Sequence, residues 1–165
     1  MALTRVLFVC TGNTCRSVFA EHLGRRFAAD VLSCESAGTT PQGAADAENA
    51  LHTLRETFGI DALAHQPRNV RDVDLAKFDL IIAFRDPASG GGRATASDDP
   101  AAILRSIGAP ESKLEVWKVG DPWGGDLADY ERAALDIRKN LAALKRRMSH
   151  EPNIGIWTPP SRGKS

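Results

Sequence analysis

The chain is 165 residues long and sets 21 Lys plus Arg against 21 Asp plus Glu, a formal net charge of zero, with 42% hydrophobic residues, four His and three Cys. A chain of this length buries about 70% of its unfolded surface and needs neither disulfides nor a structural metal to hold one core. Charge balance excludes a nucleic-acid binder working through a general basic field, because that requires uncompensated Lys and Arg.

Arg5 to Cys10 is a short apolar run with β-branched and aromatic residues and is predicted as a buried strand. Its apolar stretch breaks at Thr11-Gly12, too short for a signal-peptide core or a membrane span, so a cytoplasmic chain without membrane contact is expected. Ser17 offers a helix N-cap, and Phe19, Leu23 and Phe27 recur every four residues behind it. Val31 to Ser36 predicts a second strand, followed by loop from Ala37 to Pro41. Asp46 to Phe58 carries Ala50, Leu51, Leu54 and Phe58 at helical spacing and is stopped by Gly59. Phe78 to Phe84 predicts a third strand and Lys113 to Val119 a fourth. From Asp126 to Met148, Tyr130, Ala134, Ile137, Leu141, Leu144 and Met148 step by four and three, which predicts a long closing helix. Its Lys145, Arg146 and Arg147 complement the helix C-terminal dipole. Ser89 to Asp99, with Gly90-Gly91-Gly92, and the segment from His150, with Trp157 and three prolines, are expected to be irregular surface segments. The expected organisation is one domain over 1–149 and a tail over 150–165. Strands alternating with helices predict an α/β fold, a parallel sheet covered on both faces with ligands at the carboxyl ends of its strands.

Several motifs fail on inspection. Gly163-Lys164-Ser165 resembles the end of a nucleotide P-loop, but the glycine required earlier is Thr158. Gly90 and Gly92 begin a dinucleotide fingerprint whose third glycine is Thr95. His22, His52, His65 and His150 are far apart and form no ligand pair at helical or finger spacing, so no metal and no cofactor is expected.

Cys10-Thr11-Gly12-Asn13-Thr14-Cys15-Arg16-Ser17 is different. It puts a cysteine at the end of a strand and an arginine in the first turn of a helix. Amides of a loop entering a helix N-terminus make an anion cradle, and Gly12 and Asn13 tolerate the tight or left-handed backbone that turns them inward. Arg16 can bind two oxygens of a dianion through its planar fork. The same positive field favours the thiolate of Cys10, its nucleophilic form, and Ser17 can donate a hydrogen bond to it. Cys15 reads either as a packing residue or as a trap that holds oxidised Cys10 in a reversible disulfide. Cys34 reads as an inert core residue.

The run Val6 to Ser17 resembles the signature of the low-molecular-weight protein tyrosine phosphatases, and the likeness continues through Ser36-Ala37-Gly38-Thr39, His65-Gln66-Pro67-Arg68 and Asp121-Pro122-Trp123-Gly124-Gly125. The resemblance implies a single three-layer domain with a four-stranded parallel sheet flanked by helices, the Rossmann-like fold of that family. It also implies metal-free hydrolysis of phosphate esters in two steps through a cysteinyl-phosphate. In that scheme Cys10 is the nucleophile, Arg16 holds the phosphoryl group and Asp121 is the general acid. Thr11 to Cys15 with Ser17 form the phosphate loop, while Asn13, Ser17, Ser36 and His65 form its supporting hydrogen-bond network. Pro122 stiffens the acid's turn, Trp123 offers a wall for the substrate side chain, and Gly124-Gly125 lets the loop approach the cleft.

Thr14 stands where the tyrosine-specific enzymes usually carry a bulkier aliphatic residue, and Val18 where the family usually has proline. The Thr-Gly-Asn-Thr loop is similar to that of the bacterial protein arginine phosphatases, where a threonine hydroxyl beside the phosphoryl nitrogen suits a phosphoguanidino group. The expected partners are phosphorylated protein substrates, with phosphoarginine ahead of phosphotyrosine, met by a monomeric chain. Redox arsenate reductases share the loop but relay a disulfide through further cysteines, and none follows Cys34. A catalytically silent phosphoprotein-binding module would not need Cys10, Arg16 and Asp121 together.

Overall fold

The computed structural model describes residues 2–87 and 99–154. Gly90-Gly91-Gly92 and Trp157 lie outside the described residues. In chain order the elements are β1 (Thr4–Cys10), α1 (Arg16–Phe27), β2 (Leu32–Gly38), α2 (Glu48–Phe58), β3 (Leu80–Arg85), α3 (Pro100–Ser106), β4 (Leu114–Lys118) and α4 (Leu127–Ile154). All strand pairs are parallel, in the order β2-β1-β3-β4.

The period of two along β1 divides the molecule into layers. Val6, Phe8 and Cys10 point to one face, where they join Val18, Phe19 and Leu23 of α1, Leu54 of α2 and Tyr130, Ile137 and Leu141 of α4. Leu7 and Val9 point to the other, against Val70, Ala101, Leu104 and Ile81. Both faces of β1 are therefore covered, which is why its sequence reads as a continuous apolar run rather than an alternating one. The residues expected on the inner stripe of the closing helix, from Tyr130 to Leu144, are buried, and Met148 packs against them half-buried.

Element boundaries shift for local reasons. β2 runs on to Gly38 because its last residues pair with the end of β1, Ala37 with Val9 and Gly38 with Cys10. α2 begins at Glu48 after a tight turn over Ala44–Ala47, and Gly59 ends it in the left-handed conformation at φ 68°. α4 continues to Ile154, so the start of the expected tail is helical. α3 lies between the third and fourth strands, where no element was predicted. Its seven residues are too few to show a period, but Asp99-Pro100 is a start signal: the Asp99 carboxylate accepts from the Ala102 amide at 3.2 Å, and Pro100 occupies the first turn. No described helix is long and apolar enough to cross a membrane.

Candidate active site

β1 is followed in sequence by β2 on one side of it and then by β3 on the other, so the carboxyl end of β1 lies where the chain reverses its direction across the sheet. The Cys10–Ser17 segment leaves the sheet at that point. Its backbone is fixed from behind by the loop that follows β2: Thr39 N–H donates to the Cys10 carbonyl at 3.0 Å, Thr40 N–H to Thr11 at 2.9 Å and Gln42 N–H to Gly12 at 3.0 Å. In a trans peptide the N–H points opposite to the carbonyl. With the carbonyls of residues 10 to 12 drawn toward that neighbour, the amides of Thr11, Gly12 and Asn13 face the other way, into the loop. The approach is so close that a Cβ on Gly38 would sit 2.6 Å from the Thr11 carbonyl oxygen and 2.9 Å from the Asn13 nitrogen. Asn13 takes the left-handed turn at φ 56°.

The helix start differs from the expectation in one respect. Ser17 is not the N-cap: Cys15 occupies that position, and no side chain caps the helix. The first-turn amides of α1, which have no intrahelical acceptor, are thus left to an anion at the loop. Ser17 sits inside the first turn, buried, with its hydroxyl 3.0 Å from Cys10 Sγ. The hydroxyl also accepts from Asn13 Nδ2 at 2.8 Å, which leaves its own proton for the sulfur.

Asn13 is the hub of the supporting network. Its Nδ2 also donates to Ser36 Oγ at 3.0 Å, its Oδ1 accepts from the Arg68 amide at 3.0 Å, and its carbonyl accepts from His65 Nε2 at 2.9 Å. Because a carbonyl only accepts, the His65 proton is on Nε2. Ser36 in turn donates to Glu21 Oε1 in a short hydrogen bond. The four expected members, Asn13, Ser17, Ser36 and His65, do converge, and two unexpected residues close the network. Glu21 is buried one turn beyond Ser17 on the same face of α1, a spacing of four that could have revealed it. Arg68 holds the Ser36 carbonyl through Nε at 2.9 Å, a contact only the tertiary structure discloses.

Arg16 is buried, with a side chain 6% exposed, and reaches across to the β4–α4 connection. One terminal nitrogen lies 3.4 Å from Asp121 Oδ2 and the other 3.5 Å from the Val119 carbonyl. Among the described residues, its Nε is buried without an acceptor, a cost of about 1–3 kcal/mol that an oxyanion in the loop would lift. Asp121 is 26% exposed at the mouth of the site. Its Oδ1 accepts from the Trp123 amide at 3.2 Å and its own amide donates to Asp86 Oδ2 at 3.4 Å, so Asp86, at the end of β3, is a further residue that positions the turn. The turn closes with Gly125 N–H on the Pro122 carbonyl at 2.8 Å and needs the positive φ of Gly124, 86°. Trp123 is 46% exposed beside Asp121, where a wall for a substrate side chain would stand.

The other cysteines are held in the thiol form. Burial pushes Cys15 up to about 12 against a hydrogen bond to Tyr130 and reinforced by the charges of Cys10 and Asp121. Its Sγ lies 3.6 Å from the Tyr130 hydroxyl and 3.9 Å from that of Thr14, itself buried. Burial likewise pushes Cys34 up to about 12, where it packs against Gly24 of α1.

The expectation of dispersed histidines fails for two of the four. The ring of His22 on α1 meets that of His65 edge-on at 5.7 Å, with Glu21 between them, a contact made across the fold and invisible to spacing along the chain. Burial holds His22 below its ordinary value.

Residues 5–153 match the family described as low molecular weight phosphotyrosine protein phosphatase. Among curated proteins the chain is 28% identical to arsenate reductase 2 of Staphylococcus haemolyticus over 142 residues, 86% of this chain and 96% of the relative. Among solved structures, the YwlE arginine phosphatase of Geobacillus stearothermophilus superposes with a TM-score of 0.73 at 24% identity, covering 94% of this chain and 99% of that one. The low molecular weight protein tyrosine phosphatase of T. tengcongensis does so at 0.67 and 27%, covering 87% and 99%, and an arsenate reductase of Archaeoglobus fulgidus at 0.61 and 30%, covering 86% and 98%.

Proposed function

Because the chain belongs to the low molecular weight phosphotyrosine protein phosphatase family, we propose that it hydrolyses phosphorylated protein side chains through a cysteinyl-phosphate, with phosphoarginine favoured over phosphotyrosine. The observation that carries this reading is the convergence of Cys10 Sγ under the Ser17 hydroxyl with Arg16 and Asp121 joined at 3.4 Å. The Cys10 thiolate attacks phosphorus while the bond from phosphorus to the leaving oxygen or nitrogen breaks. Arg16 exchanges its contacts with Asp121 and Val119 for two phosphoryl oxygens, and the loop amides take the charge that develops. Asp121, released at the mouth, protonates the leaving atom. As a carboxylate it then takes a proton from water, which displaces the thiolate from phosphorus and frees inorganic phosphate.

Selectivity is assigned to Thr14, whose hydroxyl suits a phosphoguanidino nitrogen where an aliphatic side chain would only exclude it. Arsenate reduction is a second reading, favoured by the names of the curated relatives. Against it, the chain has three cysteines and none after Cys34, whose buried thiol packs against α1 rather than beside Cys10.

One assay set separates these readings: hydrolysis of phosphoarginine and phosphotyrosine, and thiol-coupled arsenate reduction, for wild type, Cys10→Ser and Thr14→Ile. Hydrolysis is expected in wild type and lost in Cys10→Ser; unchanged turnover there would sink the mechanism. Thr14→Ile should move the ratio of the two hydrolyses toward tyrosine by about tenfold, some 1.4 kcal/mol of differential transition-state binding. An unchanged ratio removes Thr14 as the selectivity element, and arsenate turnover exceeding hydrolysis would transfer the assignment to reduction.

A further inference from the structure

Behind the phosphate loop, a groove of about 460 Å³ opens along α1 and the segment around His65. Three potential ligand atoms meet at its floor. Glu21 Oε1 lies 3.9 Å from His22 Nε2 and 3.8 Å from His65 Nδ1, and all three atoms lie within 4.8 Å of one another. These distances are too long for hydrogen bonds.

Two further facts give the cluster a direction. His65 spends its ring N–H on the Asn13 carbonyl, so the nitrogen that faces Glu21 is a bare lone pair in the neutral ring, an acceptor turned toward another acceptor. Among the described residues, His22 Nε2 is buried without a hydrogen-bond partner. The side chains of Glu21 and His65 are themselves only 10% and 5% exposed. Glu21 Oε1 accepts from Ser36 and Oε2 pairs with Arg25 at 2.6 Å, but Oε1 keeps a second lone pair. With the two ring nitrogens of the half-buried histidines it makes three electron-pair donors that converge on one point and can share a cation. A histidine whose far nitrogen donates to a backbone carbonyl is oriented as metal-ligating histidines are.

We propose that Glu21, His22 and His65 form a binding site for a borderline divalent transition-metal ion of the zinc class, behind the phosphate loop and sharing Glu21 and His65 with the network that supports it. Two imidazoles and one carboxylate are a zinc ligand set of the kind that leaves a fourth position for water, and the groove supplies that opening. Tetrahedral coordination needs donors about 3.3 Å apart, so the cluster would have to tighten by about half an ångström around Glu21 and by up to about 1.5 Å between the rings, through rotation of the His22 side chain. The ion would tie α1 to the segment carrying His65. Since His65 Nε2 keeps its bond to Asn13, binding would brace the loop rather than dismantle it.

The test uses tag-free full-length protein in the Cys10→Ser background, which removes the site thiol as a competing ligand. Zn²⁺ alone is titrated calorimetrically, and thermal melting is followed with and without it. One ion per chain is expected, with a rise in melting temperature, and His22→Gln and the smaller His22→Asn should each weaken binding by about tenfold or more. In the wild-type protein, Co²⁺ should give the visible spectrum of a tetrahedral nitrogen–oxygen site with no thiolate charge-transfer band. Absence of binding heat, an affinity unchanged in both His22 variants, or a thiolate band would overturn the site. Metal-free phosphatase activity of His22→Gln in the otherwise wild-type chain is expected to stay within about twofold of wild type, because His22 has no contact with the reacting groups. The site and the phosphatase reading therefore fail independently.

Discussion

At the scale of single residues, the site depends on a missing side chain as much as on those present. Gly38 has an ordinary backbone conformation, but a methyl group there would meet the Thr11 carbonyl and the Asn13 amide at under 3 Å, both backbone atoms that cannot swing aside. Gly38→Ala is expected to destabilise the protein by about 1–3 kcal/mol in urea unfolding. It should also lower kcat/KM by displacing the loop; full activity would show that the loop tolerates the shift. What the sequence revealed of the site follows the same division. Cys10, Asn13, Arg16 and Ser17 are legible because one strand end, one turn and one helix start fix them within eight residues. Glu21 could have been found by its spacing from Ser17. The motif from His65 to Arg68 was legible, but the role of Arg68 in it was not, nor was Asp86, because each of these side chains holds a backbone group of a distant segment. For Ser17 the contact with Cys10 was legible and only the capping was misplaced: its hydroxyl has a thiol and an amide within reach, and these compete with capping.

At the scale of elements, strands and long helices follow from periodicity, whereas α3 shows that a short helix is specified by its ends. Asp99 both caps α3 and pairs with Arg85 of β3 through two hydrogen bonds of 3.1 and 2.8 Å, so it fastens the helix to the sheet. The hydrogen bond from Arg85 holds the Asp99 carboxyl below the usual carboxylate range. Asp99→Ala is expected to cost about 1 kcal/mol from the cap, with a smaller share from the half-exposed ion pair. Asp99→Asn keeps an acceptor and should lose less. Equal losses in denaturant unfolding would mean that the charge, not the cap, holds α3. That contribution is absent below the native titration of Asp99 and complete above its ordinary value of 3.8, so the difference between Asp99→Asn and wild type should vanish as the medium is acidified.

At the scale of the whole molecule, the three-layer build puts two thiols and the single tyrosine in apolar surroundings on the α1/α4 face of the sheet. Cys15 and Cys34 are raised from 9.0 to about 12, and Tyr130 is raised as well, chiefly by burial. The unfolded chain releases these protons at lower pH than the native one. Their contribution to stability is therefore intact below pH 9.0 and is lost as pH rises toward 12. Each thiol adds up to about 1.4 kcal/mol per pH unit to that decline. Cys34→Ala should lower stability at neutral pH yet flatten the alkaline slope; an unchanged slope would mean that Cys34 does not titrate on unfolding.

The central position of β1 has a consequence for how the protein comes into being. Cys10 precedes in the chain every segment that shapes its loop, Gly38, His65 and Arg68, and Asp121, the proposed acid, comes only with the turn after β4. An emerging chain thus carries Cys10 before it carries the residues that the proposed mechanism pairs with it. On the proposed mechanism, a refolding chain should regain turnover only after nearly all of its sheet has formed.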